Sequence, residues 1–225
     1  MSSSVTSRLL DIRSRIPEWV TLVAVSKFHP IEAVREAYDA GQRDFGESRA
    51  QELAVKAPAM PDDVRWHFIG HLQTNKVRQV VPHAFLIHSI DSLKLLRTVD
   101  SEAARIGRVA DVLLQIHVAR EETKFGFTPD ELLTGLPGEW HPAHTPNVKV
   151  RGVMGMASLT DDQARIAADF AAIAAAYRTL KEGLFAGSDS FDTISMGMSD
   201  DFPLAIEAGS TMVRIGTDIF GAREY

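Results

Sequence analysis

The sequence predicts an α/β protein, a single (β/α)8 barrel spanning residues 1–225, and three observations carry that prediction. Eight short segments rich in β-branched or aromatic residues recur along the chain. Helical patterns follow most of them, and strict strand–helix alternation calls for parallel strands joined by helical crossovers. The length of 225 residues is close to the roughly 250 of a closed eight-stranded barrel and requires only one domain. An open doubly wound sheet is the alternative that the alternation also allows.

Taken in order, the opening MSSSVTSRLLDIRSRI lacks the long apolar core of a signal peptide and reads as an amphipathic helix capped by one of its serines. VTLVAVS (20–26) is strand 1, and PIEAVREAYDAG (30–41) is a helix that opens on Pro and closes on Gly. RDFGES (43–48) and RWHFIG (65–70) are strands 2 and 3. TNKVRQVV (74–81) is the next helix, with Thr74 as its cap. FLIHSI (85–90) precedes the helix SLKLLRTVDSEAARIG (92–107), and DVLLQIHV (111–118) is strand 5. LPGEWHPAHTPN (136–147) is the least regular part and reads as a surface excursion before strand 6, KVRGVMGM (149–156). The Ala-rich helix DDQARIAADFAAIAAAYRTLKEG (161–183) offers its alanines as a packing face. DTISMGM (192–198) and TMVRIGT (211–217) complete the eight strands, and no linker, repeat or low-complexity tract interrupts the series.

Composition removes several functions. A net charge of −6 argues against a nucleic-acid footprint, which needs a basic face, so any bound anion must be held by local groups. With no cysteine, disulfides, thiolate metal sites and Cys nucleophiles are excluded. No stretch approaches membrane-spanning length, so a cytoplasmic protein without membrane contact is expected. The absence of a second domain favours a monomer.

In a barrel, the site lies at the carboxyl ends of the strands. Lys27 ends strand 1, two residues past Val25 and four past Val23, and so shares their face. An ammonium group at the end of an apolar strand is unusual. Desolvation favours its neutral form, and a neutral amine is a nucleophile towards aldehydes. The alternative is a lysine that snorkels outward and pairs with a carboxylate.

Two loops at the other end of the chain sharpen the choice. SMGMSDD (195–201) and RIGTDIFG (214–221) each finish a strand with glycine and hydroxyl residues. Glycine lets backbone N–H groups approach an anion, and Ser199 and Thr217 add hydroxyl donors. The loops after strands 7 and 8 are the recurrent phosphate site of such barrels, although either loop alone could be a plain turn. Arg214 lies two residues before Gly216 and shares its face, where it could bind phosphate, form an ion pair or donate to a ring nitrogen. Pyridoxal 5′-phosphate carries an aldehyde, a pyridine nitrogen and a phosphate, which match Lys27, Arg214 and the cradle of Ser199, Gly216 and Thr217.

The stretches AVSK, FGESRAQE, WHFIGHLQTNK, HSIDS, TKFGF, VRGVMGM and SMGMSDDFPLAIEAGSTMVRIGTDIFG run in this order over nearly the whole chain. Together they resemble the pyridoxal-phosphate homeostasis protein family, whose fold is similar to the barrel domain of bacterial alanine racemase. The resemblance implies a Schiff base between the cofactor and Lys27, Arg214 opposite the pyridine nitrogen, and the phosphate on Ser199, Gly216 and Thr217. It also implies a carrier or regulatory role in cofactor and amino-acid homeostasis, with cofactor-dependent apoenzymes as partners, rather than robust catalysis. A racemase-like enzyme is the alternative, although alanine racemase uses a tyrosine base supplied by a second domain. A Schiff-base aldolase for a phosphorylated sugar would use the same lysine and cradle without a cofactor. The family carries Asn where this chain has Ser48, so any contact made by that amide is not carried over.

Other residues read more plainly. His67 and His71 are spaced like a helical zinc pair but lie on a strand followed by Gly70, with no third ligand evident, so no metal is expected. Asn75 is left open as a pocket residue, Lys76 lines the pocket or sits on a solvated face, and Lys124 reads as a solvated loop lysine, with an alternative Schiff-base or anion contact as the other reading. Asp200 and Asp201 suit the start of a helix. Met154, Met156, Met196 and Met198 are barrel core or pocket wall.

Overall fold

The computed structural model describes residues 4–118 and 125–222. Strands β1 (Thr21–Val25), β2 (Asp44–Glu47), β3 (Arg65–Phe68), β4 (Leu86–Ile90), β5 (Ala110–Ile116), β6 (Val148–Gly155), β7 (Thr193–Ser195) and β8 (Met212–Ile215) form a closed barrel in sequence order. Every pairing is parallel, including the seam in which Val23 faces Arg214 and Ala24 faces Ile215. The eight strands expected from the sequence are therefore the eight observed, and the open sheet is excluded by the β1–β8 pairing.

Helix α1 (Val5–Ser14) is capped by Ser4, whose hydroxyl accepts from the Ser7 N–H, and buries Val5, Leu9 and Ile12. The crossovers carry α2 (Ile31–Asp39), α3 (Ala50–Lys56), α4 (Val77–Val80), α5 (Leu93–Arg105), α6 (Leu136–Glu139), α7 (Gln163–Glu182) and α8 (Phe202–Glu207), and α9 (Thr217–Phe220) follows β8. Their apolar faces pack on the outside of the sheet in one continuous cluster, while Val23, Leu86, Leu113, Met154 and Met212 pack inside it.

One local expectation is corrected and another is qualified. Thr74 does not cap a helix: it is the first residue of a short 3₁₀ turn, Thr74–Lys76, whose cap position is taken by Gln73 without a side-chain bond. The segment 136–147 does run over the surface, with Pro137, Gly138, Glu139, His141, Ala143, His144 and Pro146 exposed, but Leu136, Trp140 and Thr145 anchor it to the core. Leu136 and Trp140 are only 2% exposed, and the Trp140 indole N–H donates to the Thr145 hydroxyl at 3.3 Å. Burial of one large apolar side chain is worth about 1.5–3 kcal/mol, enough to draw a Pro- and Gly-rich stretch onto the core.

The mouth of β1 is held by a buried charge cluster. Glu47 at the end of β2 is fully buried; its Oε1 accepts from the Ser26 hydroxyl at 2.6 Å and from Lys56 Nζ at 2.8 Å. Lys56 also donates to the Ser26 carbonyl at 2.9 Å and lies 3.4 Å from Glu52. Glu52 Oε2 in turn accepts the Phe28 N–H at 2.9 Å. Phe28 has φ +66°, a left-handed conformation that costs a side-chain-bearing residue roughly 1–2 kcal/mol. Ser26 and Phe28 flank Lys27, so the cluster fixes the turn that sets Lys27 at the mouth.

Burial pushes the Glu47 carboxyl from its ordinary 4.5 up to about 7, against the pull of Lys56, and its Oε2 has no hydrogen-bond partner. The native state thus binds more protons than the unfolded chain between about pH 4.5 and 7, and this group's contribution to stability falls as pH rises through that window. Lys56→Met leaves Glu47 without its cation. Breaking a buried pair in this way costs about 3–5 kcal/mol. Chemical denaturation should find that loss at pH 8 and a clearly smaller one at pH 5, where Glu47 is protonated. Equal losses at both pH values would contradict the ionised pair.

Candidate functional site

At the carboxyl ends of the strands lies a cleft of about 250 Å³ across the β1–β8 seam. Lys27, Ser199, Arg214, Gly216 and Thr217, the five residues expected from the sequence, all line it. Lys27 is half-buried and enters from the turn after β1. Val25, Ile69, Met156 and Met198 form apolar wall, as expected of the two methionines, and His29 and Asp200 add polar groups at the rim. A larger cavity of about 550 Å³ opens at the other end of the barrel. Its charges are already paired, Arg65 with Asp44 and Arg151 with Asp192.

Backbone geometry shapes the cradle. Gly216 packs directly on strand β1: a Cβ there would stand 3.1 Å from the Val25 carbonyl oxygen and 3.3 Å from Val25 Cβ, tighter than ordinary contact. The absence of that side chain lets the β8 end close on β1 and brings Thr217 into the same cleft as Lys27. Gly197, with φ +96°, turns the loop after β7, where a Cβ would lie 2.6 Å from Ala205 Cβ. Asp201 Oδ1 accepts the Met198 N–H at 2.6 Å and closes the turn that presents Ser199 and Asp200. Asp201 thus holds a loop instead of capping α8, to whose N–H groups its side chain makes no bond. Burial pushes its carboxyl upward.

Arg214 is the buried cation of the site, 5% exposed. Its Nη1 donates to the Ser195 hydroxyl at 2.6 Å and its Nη2 to the Gly155 carbonyl at 3.1 Å. Desolvation lowers its pKa to about 10, which leaves it a cation at neutral pH. A guanidinium has five N–H donors and no acceptor, so those not bonded within the barrel remain for a ligand acceptor.

An amine, a buried donor fork, two hydroxyls and a glycine-lined rim therefore share one cleft, and this donor set fits an aldehyde-bearing ring with a phosphate arm. Sequence reasoning did not find His29 as a rim residue, although its place two residues after Lys27 was the available signal. Ser48 does not line the cleft. Asn75 and Lys76 lie off it, in the turn before α4. His67 is buried against His88 and Asp44, while His71 stacks on Phe125 at 3.6 Å. Lys124 lies outside the described residues.

Comparison with known proteins identifies the family and the fold. The family model described as alanine racemase, N-terminal domain, matches residues 2–224. The chain is 42% identical to the pyridoxal phosphate homeostasis protein of Vibrio alginolyticus over 218 residues, 94% of this chain and 90% of that one. It is 38% identical to the Schizosaccharomyces pombe protein of the same name over 229 residues, 98% and 94% of the two chains. Among solved structures, PipY of Synechococcus elongatus bound to PLP superposes with a TM-score of 0.86 at 38% identity, covering 97% of this chain and all of that one. Alanine racemase of Clostridium difficile, at 14% identity and a TM-score of 0.75, shares the fold over 99% of this chain and 56% of its own. The chain belongs to the pyridoxal phosphate homeostasis protein family and is built on the barrel of the alanine racemase N-terminal domain.

Proposed function

We propose that this chain binds pyridoxal 5′-phosphate in the β1–β8 cleft and acts as a carrier or regulator in cofactor and amino-acid homeostasis, handing the cofactor to dependent apoenzymes. The observation that carries the reading is the convergence of Lys27, Arg214, Ser199 and Thr217 on one cleft from opposite ends of the chain. The binding of PLP by the 38%-identical PipY supports it. Lys27 would hold the aldehyde as a Schiff base, an attachment that releases one water as it forms and is reversed when water returns. Such reversible attachment suits delivery. Ser199, Thr217 and the Gly216 backbone hold the phosphate, and Arg214 donates to the pyridine nitrogen.

The same residues argue against strong turnover. When bound, the cofactor supplies an electron sink, and its strength depends on protonation of the ring nitrogen. Arg214 can only donate, so it holds that nitrogen unprotonated and the sink weak. No tyrosine lines the cleft among the described residues: the Tyr38 hydroxyl donates to Asp63 and the Tyr177 hydroxyl to the Phe191 carbonyl. A positioned acid or base contributes about 10²–10⁴-fold, and among the described residues no tyrosine of the cleft supplies one.

Two measurements test these readings. The purified protein mixed with pyridoxal 5′-phosphate should absorb in the visible, and borohydride followed by peptide mapping should find the pyridoxyl group on the Lys27 peptide. An adduct mainly on Lys76 or Lys124, or no visible band, as for a bare-lysine aldolase, would overturn the site. Separately, exchange of the α-proton of L- and D-alanine in deuterated water should stay far below enzyme-like rates. Rapid exchange abolished by Lys27→Ala would replace the carrier with a racemase.

A further inference from the structure

The barrel interior is usually filled by apolar layers, but here five polar side chains joined by four hydrogen bonds cross it. Arg214 Nη1 meets Ser195 Oγ at 2.6 Å, and Ser195 Oγ meets His88 Nδ1 at 3.0 Å. His88 Nε2 meets His67 Nδ1 at 2.9 Å, and His67 Nε2 meets Asp44 Oδ1 at 3.0 Å. His67, His88 and Ser195 are fully buried. The chain starts in the cleft and ends at Asp44, which lines the cavity at the opposite end of the barrel.

Donor and acceptor counting fixes its direction. Arg214 can only donate, so Ser195 Oγ accepts from it. A buried hydroxyl must also place its own proton, and the other partner of Ser195 is His88 Nδ1. His88 Nδ1 therefore accepts, which puts its proton on Nε2 and makes it the donor to His67 Nδ1. His67 in turn carries its proton on Nε2 and donates to the Asp44 carboxylate. Two further facts agree. Burial, with the nearby His67 and Arg214, holds His88 well below the ordinary histidine range and so uncharged. Burial opposes ionisation of Asp44, but hydrogen bonds from Arg65 and His67 outweigh it and bring the carboxyl to about 2.

We propose that Arg214–Ser195–His88–His67–Asp44 is a one-directional hydrogen-bonded relay that positions the Arg214 guanidinium from the far end of the barrel. Aligned dipoles running from a buried cation to a carboxylate strengthen one another. They fix which N–H groups of Arg214 stay bonded to protein and which point into the cleft. Asp44, His67, His88 and Ser195 are positioning residues, and only Arg214 faces the ligand. The effect on the cofactor rests on the pyridoxal phosphate reading; the relay itself does not.

The test has a spectroscopic arm and a binding arm. In the ¹⁵N-labelled protein without cofactor, both His67 and His88 should show the Nε2–H tautomer, a result that needs no variant. Asp44→Asn, four hydrogen bonds from Arg214, should shift the His88 ring nitrogens and the Arg214 guanidinium signal. In a Ser195→Ala background the same change should leave Arg214 unmoved. Pyridoxal 5′-phosphate affinity should fall about threefold to tenfold in Asp44→Asn and in Ser195→Ala, the loss expected for one hydrogen bond. An Nδ1–H tautomer on either histidine, or an Arg214 signal and affinity indifferent to Asp44→Asn, would overturn the relay. Wild-type protein that shows the tautomers and the coupling but takes up no cofactor would instead overturn the function, leaving the relay standing.

Discussion

The β1–β8 seam is the constraint on which the site depends. Thr21 to Ala24 pair with Met212 to Ile215, joining the first strand to the last. Without that pairing Lys27 and Arg214 would stand at opposite edges of an open sheet, with no cleft between them. Gly216 makes the approach possible, since a side chain there would press on the Val25 backbone. A parallel ladder costs sequence separation, because its loop-closure entropy is spent over nearly the whole chain. The return is a rigid frame in which residues from both ends meet.

Two buried polar systems surround that seam, and they solve different problems. Glu47, Lys56 and Glu52 tie down a turn whose Phe28 is in a strained conformation, and so hold Lys27 at the mouth. The Arg214 chain crosses the interior, where an unpaired guanidinium would be strongly disfavoured. Each system spends desolvation on geometry and leaves the apolar packing of Val23, Leu113 and Met154 to hold the barrel together. The amine thus comes from a strained loop, and the donor fork from the wall of the barrel.

Much of this was legible in the sequence. The eight strands follow from runs of Val, Ile, Leu and Phe bounded by turn residues, and α7 from its long Ala-rich period. The cleft residues were legible because barrels put chemistry at strand ends, so Lys27 after strand 1 and the Gly–hydroxyl loops after strands 7 and 8 could be joined. The two polar systems were not. Ser26 and Glu47 are 21 residues apart, and His88 and Ser195 are 107 apart, so no local spacing marks either pair. His67 looked like half of a metal pair because its partners, His88 and Asp44, come from neighbouring strands. The anchors of the 136–147 segment were not legible, because Leu136 and Trp140 sit among Pro, Gly and His with no period. Thr74 was misread as a cap, since a 3₁₀ turn with Gln73 at its own cap position occupies 74–76 and Lys76 stands at the N-cap of α4.

The most direct test is a crystal structure of the protein grown with pyridoxal 5′-phosphate. Continuous density from Lys27 Nζ to the ring is expected, with the ring nitrogen facing Arg214 and the phosphate between Ser199 and the Gly216–Thr217 backbone. A ring attached to any other lysine, or a phosphate outside the loops after β7 and β8, would contradict the convergence of both chain ends on one cofactor.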